Sequence, residues 1–277
     1  MRHILMSVVI LLVTFVSFSQ GQEDQNALLK QIKWQRGPCI SSLGNEAEIN
    51  IPAGYIFSDA TGTKILMEAM HNIPSDKEVG VIVSTAPKWY LLFSFSDTGY
   101  VKDDEKSSLN ANAMLKSLKA TNEAANEEKK KRGWETFEFI GWELPPRYNA
   151  QTHNLEWATK FNSKDGTTVN WNTRLLGRDG VMSVTLVSTE ETLKNILPQF
   201  NGLLKGFSYK AGHRYAEFHQ GDKVAAYGLS ALVLGGAAVV AAKAGLFKII
   251  GKYLFLMLIP IIVFFKNLWS KITKKKE

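Results

Sequence analysis

The side chains best suited to chemistry are scattered along this chain, and each group has an ordinary structural reading beside its functional one. His153 and Glu156 lie three apart, and His213, Glu217 and His219 lie close together. Imidazole and carboxylate groups bind zinc when they converge. The pattern over Asn154–Phe161 is that of a strand, however, where positions i and i+3 face opposite ways, and no helical pattern aligns the second group. Asp97, Asp103, Asp104 and Glu105 offer the oxygen ligands calcium prefers. Their spacing does not match a calcium-binding loop, and Lys102 and Lys106 dilute the charge, so a solvated loop is the plainer reading. Cys39 is the single cysteine. It excludes an intrachain disulfide and a multi-cysteine metal cage, and nothing in the sequence activates it as a nucleophile. Serine-nucleophile and phosphate-loop motifs are absent. No metal, no cofactor and no catalytic constellation is expected.

Two further features concern contact rather than catalysis. Lys129-Lys130-Lys131-Arg132 suits an acidic lipid or protein, but cations at a helix end also favour the helix dipole. Trp134, Trp142, Trp157 and Trp171 supply large flat apolar area within a short stretch. Most of it belongs in a sheet core. Any ring left exposed, together with Tyr148, is a candidate partner surface.

The elements that must position these residues alternate between helix and strand. Asp24–Trp34 has helical spacing and stops at Gly37-Pro38. Ala47–Ile51 alternates as a short strand, Lys64–Met70 is a short helix, and Val79–Ser84 and Lys88–Phe95 are strands. Ser107–Arg132 is the longest soluble helix, ended by Gly133 in the left-handed conformation. Thr136–Glu143 is a strand that Pro145-Pro146 breaks. Asn154–Phe161, Thr168–Leu176 and Val181–Ser188 follow with short turn-like connections, the mark of an antiparallel meander. Thr189-Glu190-Glu191 opens a helix that Pro198 kinks or splits, and Phe207–Lys210 is a last short strand. The order predicts an α+β domain, an antiparallel sheet with packed helices. In architecture it resembles the small exported sandwich domains of photosystem accessory proteins, a likeness that carries no function.

Charge and hydropathy place this domain beside a membrane. Met1-Arg2-His3 precedes an uncharged run from Ile4 to Phe18, as in a signal sequence, and Ser17 and Ser19 suit cleavage before Gln20. An uncleaved signal anchor and a buried core helix are the other readings. Residues 20–224 carry 24 basic and 25 acidic side chains, so the net charge of +7 resides almost wholly in the lysines after Val224. A nucleic-acid partner is not expected, because that would need a basic surface on the domain itself. Ala225–Ala242 is uncharged and, at ~1.5 Å per residue, just long enough to span a bilayer core. Gly228, Ala231, Gly235, Ala238 and Ala242 fall on one helical face and allow close packing of a second helix, hence a homo-oligomer; such residues are also simply common in membrane helices. Leu246–Phe265 is a second membrane helix or embedded segment, interrupted by Lys248 and Lys252 and bent at Pro260. Lys266–Glu277 is a basic tail, and its lysines leave one crossing and two crossings both open.

Several short motifs together carry a family resemblance. They are Pro52-Ala53-Gly54-Tyr55, Asp97-Thr98-Gly99-Tyr100-Val101, Asn126-Glu127-Glu128, Gly133-Trp134, Gly141-Trp142, Pro146-Arg147-Tyr148, Leu155-Glu156-Trp157-Ala158, Leu175-Leu176-Gly177-Arg178-Asp179-Gly180 and Gly221-Asp222-Lys223-Val224-Ala225-Ala226-Tyr227-Gly228-Leu229. From about Gly37 onward the chain resembles the bacterial family called domain of unknown function 2167, described as uncharacterised membrane-anchored proteins. The family pattern has aspartate where this chain has Asn149 and tyrosine where it has Trp171. The resemblance implies export and a membrane anchor, and no activity. The chain therefore divides into a signal peptide (1–19), an extracytoplasmic domain (20–223), a transmembrane helix (225–242), a second membrane segment (246–265) and a tail (266–277). The expected protein sits in the bacterial inner membrane with its domain in the periplasm, and it binds an envelope protein or lipid. The other readings are an envelope hydrolase built on His153, Glu156 or Tyr148, and a structural homo-oligomer.

Overall fold

The computed structural model describes residues 27–85, 89–163 and 166–234. The elements named below belong to the first of two units, Met1–Val233. The predicted signal sequence, the segment 246–265 and the basic tail lie outside the described residues, as do residues 235–242 of the predicted helix 225–242. No helix among the described residues is long and apolar enough to cross a membrane.

The domain is α+β, as its pattern predicts. Strands β1 (Gln35–Arg36), β4 (Tyr55–Asp59), β5 (Glu78–Ser84), β6 (Tyr90–Ser96), β7 (Glu138–Asn149), β8 (Asn154–Ser163), β9 (Gly166–Leu176) and β10 (Val181–Thr189) form one antiparallel sheet, in the order β1-β4-β5-β6-β10-β9-β8-β7. Strands β2 (Cys39–Leu43), β3 (Ala47–Ile51) and β11 (Phe207–Tyr209) form a small sheet with β3 at its centre. The predicted meander is β8-β9-β10. Its last strand then pairs with β6 rather than with an element next to it in sequence, a long-range pairing that alternation alone does not encode.

One face of the large sheet is packed. Leu91 and Phe93 of β6, Val184 and Leu186 of β10 and Trp171 of β9 pack with Leu193, Ile196, Phe200 and Leu203 of helix α3 (Glu190–Leu204) and with Ile49 and Ile51 of the small sheet. Each fully buried side chain of this size contributes about 1.5–3 kcal/mol relative to exposure. The α3 residues recur at spacings of three and four, the stripe a helix lays on a sheet. Pro198 does not split α3. It lies on the exposed side of the helix, where water can take up the carbonyl it leaves free. Tyr209 ties the two sheets together: its hydroxyl donates to the Leu175 carbonyl at 2.7 Å and accepts from Met182 N–H at 2.9 Å.

The other face carries helices only toward its edges. Helix α1 (Ala60–Ala69) packs on β4 and β5, joined by Leu29 and Ile32 around Ile56, Val81 and Val83. It starts at Ala60 rather than Lys64 because Asp59 caps it, accepting from Gly62 N–H at 3.1 Å. Helix α2 (Ala111–Lys131) packs on β7 and begins where Asn110 accepts from Ala113 N–H at 3.0 Å. Strand β7 runs straight through Pro145-Pro146, contrary to the predicted break. It is an edge strand whose pairing with β8 shifts register between Leu144 and Arg147, so the prolines interrupt no ladder on the outer side.

Candidate functional site

Between α1 and α2 the middle of the sheet is half-open. The ladders align Ser94 with Ser183 and Arg174, Leu92 with Thr185 and Asn172, and Tyr90 with Val187 and Asn170. Side chains alternate across a strand, so these nine residues share one face. All are partly exposed, whereas the residues between them, such as Phe93, Val184 and Thr173, are buried. The sequence shows this as a strict alternation of Asn170, Asn172 and Arg174 with apolar or small neighbours. Alternation alone reads as a solvated face. That these are central strands flanked by two helices appears only in the fold.

Arg174 dominates this strip electrostatically. Its guanidinium lies 4.5 Å over the Trp157 ring and donates to the Thr173 carbonyl at 3.3 Å. No carboxylate forms an ion pair with it among the described residues. Burial brings its pKa down to about 10, which leaves it charged at neutral pH. The Tyr90 phenol is pushed upward by the same cause. Both groups are desolvated yet keep accessible surface, so they lie on a partly covered part of the strip. Asn172 is oriented within it: Oδ1 accepts from Thr185 Oγ1 at 3.2 Å and Nδ2 donates to the Asn170 carbonyl at 3.0 Å.

Aromatic and ionic contacts join α2 to the rest of the domain at one end. Lys129 is buried and its ammonium donates to the His71 carbonyl, just past α1. It also lies 4.9 Å over Phe137 and 5.9 Å over Trp134, whose ring stacks on His71. Desolvation lowers the Lys129 pKa. Asn126 clamps Phe137 both ways, Nδ2 to its carbonyl at 2.7 Å and Oδ1 from its N–H at 3.0 Å. At the other end Tyr148 aligns with Leu155 and so with Arg174. Its hydroxyl lies 3.2 Å from His153 Nδ1. Its pKa is raised by burial first and by the Asp103 carboxylate, which it also meets, second. His153 packs on Tyr215, whose hydroxyl donates to the Val101 carbonyl at 3.0 Å, and Tyr100 stacks between Tyr215 and Phe218.

The motifs near Gly99, Arg178 and Asp222 converge below this cluster. Arg178 pairs with Asp222, Lys223 with Asp97 at 3.0 Å, and His213 Nδ1 lies 2.5 Å from Asp179. Tyr100 N–H donates to the Lys223 carbonyl and Ala225 N–H to the Tyr100 carbonyl, a parallel bridge from Tyr100 to Val224. Gly99 is in the left-handed region at φ +83°, and a Cβ there would sit 2.4 Å from the Lys223 oxygen. The chain leading to Leu229–Val233 (helix α4) is thereby pinned to two turns of the large sheet.

Other predicted residues are distributed as follows. Trp157 and Trp171 are buried on opposite faces of the large sheet, the Trp171 indole N–H having no acceptor among the described residues. Trp134 and Trp142 are half-buried. Trp142 Nε1 donates to the Ala111 carbonyl at 3.3 Å and so fixes the start of α2. Glu156 pairs with Arg147 at 3.0 Å on the face opposite Tyr148, away from His153. Gly228 lies in the turn before α4 against the Glu105 side chain, which also accepts from Ser230 N–H at 2.8 Å. Ala231 is buried. Gly235, Ala238 and Ala242 lie outside the described residues. Among the described residues no three His, Cys, Asp or Glu side chains converge as metal ligands.

The fold and site define an α+β domain that holds a polar strip open on its central strands between two helices. The chain belongs to the family described as "Protein of unknown function (DUF2167)", whose model matches residues 35–266. No curated protein matches it. Among solved structures it is similar to the cyanobacterial PsbP (CyanoP) of Synechocystis, with 16% identity over 65% of this chain and 94% of that one and a TM-score of 0.38. The Ran-binding protein Mog1p of Saccharomyces cerevisiae matches at 11% identity over 68% and 99% of the two chains, TM-score 0.31. LpqN of Mycobacterium tuberculosis, involved in cell envelope biogenesis, matches at 9% identity over 70% and 98%, TM-score 0.32. Likenesses this distant say nothing of function.

Proposed function

We propose that this protein is a binding module of the bacterial cell envelope, anchored in the inner membrane with its domain in the periplasm. Its working surface is the half-open strip on β6, β10 and β9. The single observation that carries the binding role is Arg174, a desolvated cation on that strip with no carboxylate partner among the described residues. Polar groups held partly desolvated at such cost are those expected of a ligand site. The anchor rests on the uncharged runs and the lysine-rich end of the sequence. A hydrolase has less support, because Glu156 is engaged by Arg147 away from the Tyr148–His153 pair.

A photo-crosslinking residue placed at Thr185 in living cells tests the reading, with one at exposed Ser42 on the small sheet as control. Adducts specific to position 185, recovered from the membrane fraction, are expected. Equal labelling at both positions, or recovery of the intact chain in the soluble cytosolic fraction, overturns it.

A further inference from the structure

The open strip has a chemical character that narrows its ligand. Ser94, Ser183 and the Asn170 amide make no side-chain hydrogen bond among the described residues, and the Tyr90 hydroxyl makes none either. Each is partly exposed on the same face as Arg174. Asn172 has its oxygen occupied by Thr185, and its amide nitrogen keeps a second donor hydrogen. The strip thus offers one fixed positive charge surrounded by neutral donors and acceptors. The guanidinium packs 4.5 Å over the Trp157 ring, and its planar fork loses little entropy per hydrogen bond formed.

We infer that Arg174 receives the carboxylate of a small water-soluble ligand whose hydroxyl or amide groups meet Asn170, Asn172, Ser183 and Thr185. A guanidinium fork matches a carboxylate through two parallel N–H···O bonds. A single cation answers a single negative charge. Lys129, a buried cation on this side of the sheet, is already committed to the His71 carbonyl and to the Trp134 and Phe137 rings. A doubly charged phosphate would lack a second counter-charge on this floor among the described residues. The inference names the ligand class for the site proposed above and rests on that reading only for the location of the site.

Thermal unfolding of the full-length protein in detergent micelles tests it, with sodium glucuronate, acetate, inorganic phosphate and chloride compared at equal ionic strength. At about 20 mM, a probe bound with a Kd of about 1 mM raises the midpoint by roughly 4–7 °C. Glucuronate should do so, acetate should do so less strongly, and chloride should do nothing. Two variants should lose the response. R174L removes the cation. S183D places a carboxylate directly across the ladder from Arg174, where paired Cβ atoms are about 4.5–5.5 Å apart, so it satisfies the guanidinium internally and keeps the fold. Carboxylates that act no more strongly than chloride overturn the inference. So do a response to phosphate alone and an undiminished response in S183D. Loss of the carboxylate effect with specific crosslinking at position 185 intact removes the ligand class and leaves the binding role standing; the reverse result does the opposite.

Discussion

Arg178 grips Asp222 with two parallel bonds of 2.7 Å, Nε to one carboxylate oxygen and Nη2 to the other, across 44 residues of sequence. The pair joins the turn after β9 to the segment that leads into α4. Lys223–Asp97 and the Tyr100–Val224 bridge fasten the same segment to the turn after β6. Three motifs that are far apart in the sequence therefore act at one place. They hold the segment that leads into α4 in a fixed geometry relative to the large sheet.

The Arg178–Asp222 pair makes this junction sensitive to low pH. The bonds from Arg178, and then the His219 N–H, hold the Asp222 carboxyl at about 2, against an ordinary value near 3.9. A depressed folded pKa means that the stabilisation is complete above the ordinary value and disappears as pH falls through about 2. Hydrogen exchange should show the His219 and Tyr100 amides protected at about pH 5 and progressively unprotected between about pH 4 and pH 2. In D222N the protection should be weak at both ends of this range. Protection in D222N equal to that of the parent at pH 5 would show that the ion pair does not fasten the segment.

Gly99 tests the same junction sterically. Alanine there must adopt a left-handed conformation and displace the Lys223 carbonyl. The conformational part alone costs about 1–2 kcal/mol. Limited proteolysis of G99A should cut between Gly212 and Val224 much faster than in the parent, with the far-ultraviolet dichroism of the sheet unchanged. Identical cleavage rates would remove the role assigned to this glycine.

Tyr209 carries the connection between the two sheets. Phenylalanine keeps the ring and leaves the Leu175 carbonyl and Met182 N–H without their buried partner. An unsatisfied buried group costs about 1–3 kcal/mol, so Y209F should lose roughly 2–5 kcal/mol in urea unfolding with an unchanged m-value. A loss below about 1 kcal/mol would mean that water replaces the hydroxyl.

Asn126 fixes the C-terminal half of α2. In N126A the Phe137 N–H loses its partner, and the carbonyl keeps only Asn122 Nδ2 at 2.8 Å. Tryptic cleavage after Lys129, Lys130, Lys131 and Arg132 should accelerate about tenfold or more, the factor that corresponds to ~1.4 kcal/mol of local opening. Global stability should change by less than that amount. Unaltered cleavage would show that Lys129 and Trp134 suffice to hold this end.

The residue pattern by itself determined the α+β class, the meander β8-β9-β10, the helices α2 and α3 and the exact span of β3, because each depends on periodicity, caps and turn residues close together in the chain. It also determined where the charge lies and which family the chain resembles. Tertiary structure decided the rest. Pro145-Pro146 looks like a strand break until β7 is seen at the edge of the sheet, where a bulge in its pairing with β8 absorbs the prolines and no strand lies outside them. Trp157 and Trp171, two candidates for an exposed surface, are buried because β8 and β9 are interior strands, with Trp171 in the core that α3 covers and Trp157 against the Arg174 guanidinium. Asn170, Asn172 and Arg174 read locally as a solvated strand face. Only the pairing of β10 with β6 puts them on a central floor between two helices, because the placement of a strand within a sheet is a long-range choice that alternation along the chain does not record.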